Sequence, residues 1–129
     1  MLDTSPLTAA VERFADRLRA MPQSRLQQGA AAEALHLARE LSARAQRLEE
    51  PHRTAPAREI PDAGLFVVGD QVAVAGLDLA EALRAADAEA AEAAGAAGAG
   101  EDRETATAPS GILDEAVRLV EQADVRATR

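Results

Sequence analysis

Two short patterns in the chain carry residue types that could bind a metal. Glu33 and His36 stand three residues apart in a predicted helix, and Glu49 and His52 repeat that spacing further along. Di-iron carboxylate bundles use two such Glu-x-x-His patterns on facing helices, each joined by another Glu. Here the second pattern crosses Pro51 at the end of the same helix, and one helix cannot face itself. We therefore expect no metal site and no cofactor in this protein.

The chain also lacks the motifs of nucleophilic catalysis and of phosphate binding, which favours a protein that is not an enzyme. The chain has no Cys, and none of its four Ser lies in a Gly-x-Ser-x-Gly turn. His36 and His52 are interpreted as a surface residue and a linker residue. The spacing of Gly64 and Gly69 is that of a phosphate-binding loop, but Asp70 stands where that loop requires Lys, and a carboxylate repels phosphate. We expect neither nucleophilic catalysis nor nucleotide binding.

Composition and charge exclude further classes of function. The net charge is −8, and all 14 basic residues are Arg. A net-acidic chain with 2% aromatic residues is a poor nucleic-acid binder, because phosphates repel carboxylates and bases need rings to stack on. The chain begins without the basic and apolar segments of a signal peptide, and no apolar run is long enough for a membrane span. Arg without Lys and abundant Ala are typical of a GC-rich coding sequence, which indicates a high-GC bacterium. We expect a cytoplasmic protein that binds neither nucleic acid nor membrane.

The charges are unevenly distributed along the chain. Residues 1–48 carry seven Arg and five acids, whereas residues 59–129 carry five Arg and fifteen acids. Because opposite charges attract across a packed contact, we expect the basic first half to pack beside the acidic second half. Leu, Ile, Val and Phe make up only about a fifth of the 129 residues, so the core of a single domain is thin. Association with a partner or a second copy could therefore stabilise it.

The spacing of the large apolar residues predicts four helices. In the first, over about 6–21, they recur every three or four residues, with Ser5 as N-cap and Pro6 as the first residue. Its apolar seam consists of Leu7, Val11, Phe14, Leu18 and Met21. The second helix, over 23–49, continues this type of pattern and ends before Pro51. Because the connection is so short, we expect these two helices to be antiparallel neighbours.

Two segments without a repeated apolar spacing separate the remaining helices. Residues 50–64 hold three Pro and are predicted to form an extended linker, with Ile60 packed onto the core. Residues 95–109 are rich in Gly, Ala and acids and are predicted to form a flexible, disordered linker. The last helix, over about 110–125, has a broad apolar face. The linker before it is long enough for this helix to pack on its own chain or on a second copy.

The segment PDAGLFVVGDQVAVAG, residues 61–76, allows two structures. Two strands over about 65–75 could pair as a hairpin across a Gly-Asp turn. Alternatively, a helix with Asp70 as its N-cap runs to about residue 94, because the apolar stripe from Val72 stays in register as far as Ala90. We favour the helix, since no third strand is available to support a hairpin.

The predicted fold is therefore all-α: a small antiparallel bundle of four helices with two long flexible linkers. The predicted function is that of a non-enzymatic protein that binds a protein partner or forms a homodimer, because no catalytic set is present and the core is thin. A bundle that binds a small ligand or a metal is the alternative.

Five residues are candidates for the interaction site. Leu65, Phe66 and Val67 precede the third helix on a segment that its apolar stripe does not orient. Such a lead-in could instead fold over the end of the bundle as a plug, and this is the interpretation that we favour for Phe66. Arg39 and Arg47 lie on one side of the second helix, where they could pair with acids of the third helix or contact a partner.

Overall fold

The apolar spacing of the sequence becomes a set of helices in the computed structural model, which describes residues 1–97 and 108–129. The helices are α1 (Ser5–Ala20), the short α2 (Gln23–Arg25), α3 (Ala31–Glu49), α4 (Val68–Ala97) and α5 (Pro109–Thr128). A π-helical turn at Leu26–Ala30 joins α2 to α3, and a 3-10 turn at Leu65–Val67 leads into α4. No strand occurs in the described residues. The all-α prediction is confirmed, and the alternative hairpin at 65–75 is wrong.

α4 is the central element, because it packs against α1, α3 and α5. α1 and α3 each pack mainly against α4 and α5 and have little or no contact with each other. The prediction that the first two helices are neighbours is therefore wrong. The reason lies in their connection, where Met21 and Pro22 are extended, with ψ of 141° and 152°. This extended step lets α3 start in a direction that a tight helical hairpin would not allow.

α1 buries the face that its spacing predicts. Four of the five residues of the predicted seam have at most 2% exposure: Leu7, Val11, Phe14 and Leu18. The helix includes Ser5 instead of starting after it, and Thr4 takes the cap position. Asp3 Oδ1 accepts hydrogen bonds from Ser5 N at 3.0 Å and Ser5 Oγ at 2.6 Å, and these bonds lower the pKa of Asp3. The acceptor at this helix start is thus Asp3, two residues before the predicted cap.

The predicted helix over 23–49 is broken at Gly29. This residue has φ +138°, a backbone conformation that residues with a Cβ rarely adopt. Leu26 and Ala30 on either side of it are buried in the same core as α3. The apolar spacing therefore continues across the kink, and the prediction of one continuous helix is wrong because the spacing does not record the backbone conformation of a glycine.

Residues 50–64 form no helix or strand and include a turn at 51–52, and α3 binds their second half. The buried side chain of Gln46 makes a two-way contact with the backbone of Arg58. Gln46 Oε1 accepts from Arg58 N, and Gln46 Nε2 donates to Arg58 O, both at 2.8 Å. Gln46 Nε2 also donates to Ser42 Oγ at 3.1 Å. This pairing resembles one step of a strand ladder, in which an amide side chain replaces a second backbone.

Two further hydrogen bonds extend this attachment. Arg39 Nε of α3 donates to Ile60 O at 2.8 Å, and Gln71 Nε2 of α4 donates to Pro61 O at 2.9 Å. The side chain of Ile60 is half-buried against the core, as predicted. We name residues 58–61 the strap. The predicted flexible linker thus has a second half that is fastened to both α3 and α4.

α4 begins at Val68, before the predicted start, and Asp70 lies in its first turn. Asp70 is therefore not the N-cap, because the 3-10 turn has already brought the chain into a helical path. Gly69 and Gly76 let α4 approach α1 closely. A Cβ on Gly76 would lie 2.6 Å from both Cγ1 and Cγ2 of Val11, and one on Gly69 would lie 3.2 Å from a backbone oxygen of α1.

The predicted apolar stripe of α4 is buried only in its first half. Val72, Leu79 and Leu83 are fully buried, whereas Ala90 is exposed. The expectation that the stripe faces the core as far as Ala90 is wrong, because α4 has 30 residues while α1 has 16 and α3 has 19. At about 1.5 Å per residue the shorter helices end before α4 does.

α5 closes the core on its own chain. It begins at Pro109, one residue before the predicted start, and its side chains Leu113, Ala116, Val120 and Ala123 are buried with those of α1, α3 and α4. Most of the predicted linker at 95–109 lies outside the described residues, and its first part, to Ala97, belongs to α4.

Four of the five ion pairs that join residues 1–48 to residues 59–129 in the described part of the chain have the expected polarity, and the fifth joins Arg126 of α5 to Glu33. Arg17 pairs with Asp124 at 3.1 Å, and Arg44 Nη2 pairs with Glu115 Oε1 at 2.6 Å. In both pairs the Arg belongs to the basic first half and the acid to α5. Ion pairs that are partly open to solvent contribute little to stability, so these two pairs orient α5 on a core that apolar contacts stabilise.

The pH dependence of stability should report the Arg44–Glu115 pair. The hydrogen bond from Arg44 lowers the pKa of Glu115 from its usual 4.5. A carboxyl whose pKa is lower in the folded chain stabilises the fold above its unfolded pKa, and this contribution is lost as the pH falls through the folded value. We expect the melting temperature, followed by circular dichroism, to fall below pH 4.5, and to fall less in Glu115→Gln. Identical profiles for Glu115→Gln and the exposed-acid control Glu121→Gln would contradict this assignment.

Candidate interaction surface

An apolar surface faces solvent at the start of α4. The exposed fraction is 76% for Phe66, 58% for Val74, 53% for Leu77 and 37% for Val67. We name these four residues the α4 apolar face. Because helical positions three, four and seven residues apart share one side, Val67, Val74 and Leu77 form one stripe. At about 1.5 Å per residue, this stripe is about 15 Å long.

The opposite side of α4 explains why this face points outward. Val72 and Leu79 are fully buried, and Gly76 contacts Val11 of α1. Each helical residue is rotated by about 100° from its neighbour, so Val74 and Leu77 lie away from these buried positions. The close packing of Gly76 against α1 therefore determines which apolar residues of α4 remain exposed.

The turn before α4 separates Leu65 from Phe66. Gly64 has φ +103°, and its N–H donates to Asp62 Oδ1 at 3.1 Å. In the 3-10 turn that follows, successive side chains are about 120° apart, so neighbouring residues cannot all face the core. Leu65 packs against the core and Phe66 points to solvent. The interpretation of Phe66 as a plug is therefore wrong, because Leu65 takes that place.

Acidic residues border the α4 apolar face. Asp70 Oδ1 accepts from Arg19 Nη2 at 2.7 Å and from Arg19 Nε at 3.0 Å, and this hydrogen bonding raises the pKa of Arg19. Asp78 and Glu81 are exposed further along α4, and neither forms an ion pair with another described residue. The apolar stripe thus has acidic residues beside it, and Arg19, the base that contacts Asp70, is already paired.

A surface groove of about 550 Å³ lies beside the turn that precedes α4. Its lining includes Leu65 and, from α3, His36 and Arg39, with Asp62 near the turn. The structure therefore brings two of the predicted interaction residues, Leu65 and Arg39, to one place. The guanidinium of Arg39 lies 3.8 Å from Glu59 and donates to the strap, so Arg39 pairs with the linker and not with an acid of α4.

Arg47 does not join this group. It is exposed on α3, and its charge helps to lower the pKa of Glu115 on α5. It therefore lies on the α5 side of α3, whereas Arg39 reaches the strap. The helix pattern placed Arg39 and Arg47 on one side, but Arg39 contacts the strap and Arg47 lies near α5.

The residues of the metal-like patterns also separate. Glu33 Oε2 lies 3.8 Å from Arg126 of α5, while His36 lines the groove beside the turn. Within residues 1–97 and 108–129, His, Asp and Glu form no group of three or more that could hold a metal ion. None of the helices in this part of the chain combines the length and apolar character needed to cross a membrane.

Two residues of the α4 apolar face, Val74 and Leu77, were not among the predicted interaction residues. The signal for them is present in the sequence, since both are large apolar residues that fall outside the stripe of Val72, Leu79 and Leu83. Once one side of a helix is assigned to the core, large apolar residues on its other side are candidates for a second contact.

Comparison of the chain with protein-family models, curated proteins and solved structures yields no match.

Proposed function

We propose that this protein is a non-enzymatic helical protein that acts by binding a protein partner through the α4 apolar face. The observation that supports this proposal is the exposure of Val67, Val74 and Leu77 along one side of the helix, with Phe66 exposed beside them in the preceding turn. Single exposed apolar residues are ordinary on protein surfaces, whereas a cluster of exposed apolar residues with a polar border is typical of an interaction site.

The composition of the chain makes this exposure stronger support for a binding role. Large apolar residues are scarce, and Ala fills much of the buried core. Burying one side chain such as Leu or Phe contributes about 1.5–3 kcal/mol. A fold with a thin core that leaves four such residues on one face can recover that free energy in a complex.

The test compares variants of the face with a matched control. Leu77→Ser and Phe66→Ala each remove an exposed side chain of the α4 apolar face, while Val125→Ser removes a side chain that is 60% exposed on α5. We expect all three variants to keep the wild-type melting temperature, because exposed substitutions change the free energy of unfolding by only about 0.5 kcal/mol. Affinity capture from the source organism and light scattering then measure association.

The expected result is a stoichiometric protein partner that the wild type and Val125→Ser retain, and that Leu77→Ser and Phe66→Ala lose. A wild-type chain that is strictly monomeric and retains no protein would contradict the proposal. So would a partner that binds all three variants equally, because its contact would then lie elsewhere. A lower melting temperature in Phe66→Ala would place that side chain in the core after all.

The alternative, a bundle that binds a small ligand, is favoured by one observation. The groove beside Leu65 combines apolar walls with the ionisable groups of His36, Arg39 and Asp62, a mixture typical of ligand pockets. A monomer that captures no protein but melts at a higher temperature with a metabolite would support this alternative. Loss of that shift in Arg39→Ala would locate the ligand in the groove.

A further inference from the structure

We infer that the partner of the α4 apolar face is an amphipathic helix whose own apolar stripe is flanked by Arg or Lys. This inference rests on the proposed function and adds the chemistry of the partner. It follows from the spacing of the face, its charge, and the poor fit of a second copy of the same surface.

The spacing of the face is that of a helix-pairing seam. Positions 67, 70, 74, 77 and 81 follow alternating steps of three and four residues, and three of the five are apolar (Val67, Val74 and Leu77), while Asp70 and Glu81 occupy the other two. Apolar residues at alternating steps of three and four are the pattern through which two helices pack side by side. A partner helix lying along α4 would therefore place apolar side chains against Val74 and Leu77.

The charge of the seam defines the rest of the partner. Asp70 and Glu81 lie within the seam, and Asp78 lies beside it. A carboxylate covered by a partner is costly unless it gains an opposite charge or hydrogen bonds. Arg19 already pairs with Asp70, so a partner that covers Glu81 and approaches Asp78 binds best if it supplies basic side chains, which provide both the charge and the hydrogen bonds.

The net charge of α4 as a whole is also negative. It carries the acids Asp70, Asp78, Glu81, Asp87, Glu89 and Glu92 and a single base, Arg84, whose Nη1 donates to Thr4 Oγ1 at 2.7 Å. A basic helix would be attracted along the full exposed length of α4. Electrostatic attraction of this kind mainly raises the association rate and the selectivity for one class of partner.

A second copy of the chain fits this surface poorly. A symmetric dimer through the α4 apolar face would place two acidic α4 helices side by side. Like charges across an interface oppose binding. The same argument excludes a partner helix with acidic flanks, however well its apolar stripe fits.

Two designed helical peptides with the same Leu stripe test this inference, one with Arg and one with Glu at the flanking positions. A fluorescent label on the peptide reports binding by anisotropy, and amide chemical shifts of the protein report the location. We expect the Arg peptide to bind at least tenfold more tightly than the Glu peptide, and its affinity to fall as salt increases. The shifts should map to residues 65–81.

Variants separate the two parts of the contact. Leu77→Ser should weaken binding of the Arg peptide by tenfold or more, whereas Val125→Ser should leave its affinity unchanged. Glu81→Gln should reduce the preference for the Arg peptide without removing binding. Val74→Ser provides a second variant of the face if circular dichroism shows that Leu77→Ser is not folded.

Three outcomes would overturn the inference: equal binding of the two peptides, binding of neither, or shifts that map to other helices. Its failure can be distinguished from failure of the proposed function. If light scattering shows a dimer that Leu77→Ser dissociates, the face binds protein but its occupant is a second copy. If the chain is a monomer that binds neither peptide and captures no protein, both proposals are wrong.

Discussion

Replacing Gly76 with Ala is expected to lower the free energy of unfolding by about 1–3 kcal/mol, the usual cost of overfilling a packed core. The added Cβ would lie 2.6 Å from both Cγ1 and Cγ2 of Val11, far inside normal van der Waals contact. The side chain of Val11 cannot easily move aside, since it is buried in α1 and has a branched Cβ. α1 and α4 must therefore separate or Val11 must change its rotamer.

Gly95→Ala is the matched control in the same helix. A Cβ there meets nothing within 4 Å, so we expect this variant to be neutral or more stable by up to about 1 kcal/mol, as Ala favours helix more than Gly. Urea unfolding followed by circular dichroism gives both values. In the double variant Gly76→Ala with Val11→Ala, the two 2.6 Å contacts are removed and only the 3.0 Å contact with Cβ of residue 11 remains. The two changes should therefore be less costly together than their sum. Equal effects of the two Gly substitutions would contradict the close approach of α1 and α4.

The second large effect is expected at Gln46. Gln46→Ala removes both hydrogen bonds to the backbone of Arg58 and the bond to Ser42 Oγ. A lost hydrogen bond of this kind costs about 0.5–1.5 kcal/mol when water can replace the partner. We expect the strap to open about 5–30-fold more often, corresponding to a local loss of about 1–2 kcal/mol, while the helices stay folded.

Limited trypsin digestion followed by mass spectrometry measures this opening, because Arg58 is itself a cleavage site in the strap. Cleavage after Arg58 should rise in Gln46→Ala and remain unchanged in Gln28→Ala, a substitution of an exposed glutamine. Cleavage of a strap that opens and closes rapidly follows the population of the open form. Unchanged cleavage after Arg58 in Gln46→Ala would show that other contacts hold the strap.

These two sites also matter for the α4 apolar face. The contact of Gly76 with Val11 sets the rotation of α4, and Gln71 fastens the strap to the same helix. A change that lets α4 rotate would turn Val74 and Leu77 away from their present stripe. Binding measurements on Gly76→Ala should therefore be compared with its stability before any loss of binding is assigned to the face.

Much of the helical architecture was predictable, because a repeated apolar spacing is a local property of the chain. The seam from Leu7 to Leu18 and the stripe from Val72 to Leu83 are both buried as predicted. The boundaries were less predictable. Asp70 is a reasonable N-cap by residue type, but the 3-10 turn before it had already started the helix.

The candidate site was predictable only in part. Phe66 and Val67 are exposed next to α4, whereas Leu65 is turned inward, and no periodic pattern in three consecutive residues distinguishes them. Arg39 and Arg47 share one side of α3 in sequence but reach the strap and α5 respectively, because those elements come from distant parts of the chain.

The sequence by itself determined the fold class, the faces of the helices and the polarity of the two halves, since these depend on residue type and spacing alone. Tertiary structure decided which helices are neighbours, where Gly29 breaks the second helix and how the strap is fastened. It also decided that Gly69 and Gly76 of α4 lie against α1 and leave Val74 and Leu77 in solvent. These outcomes depend on contacts between residues far apart in the chain, and a local spacing carries no information about which distant surface will meet it.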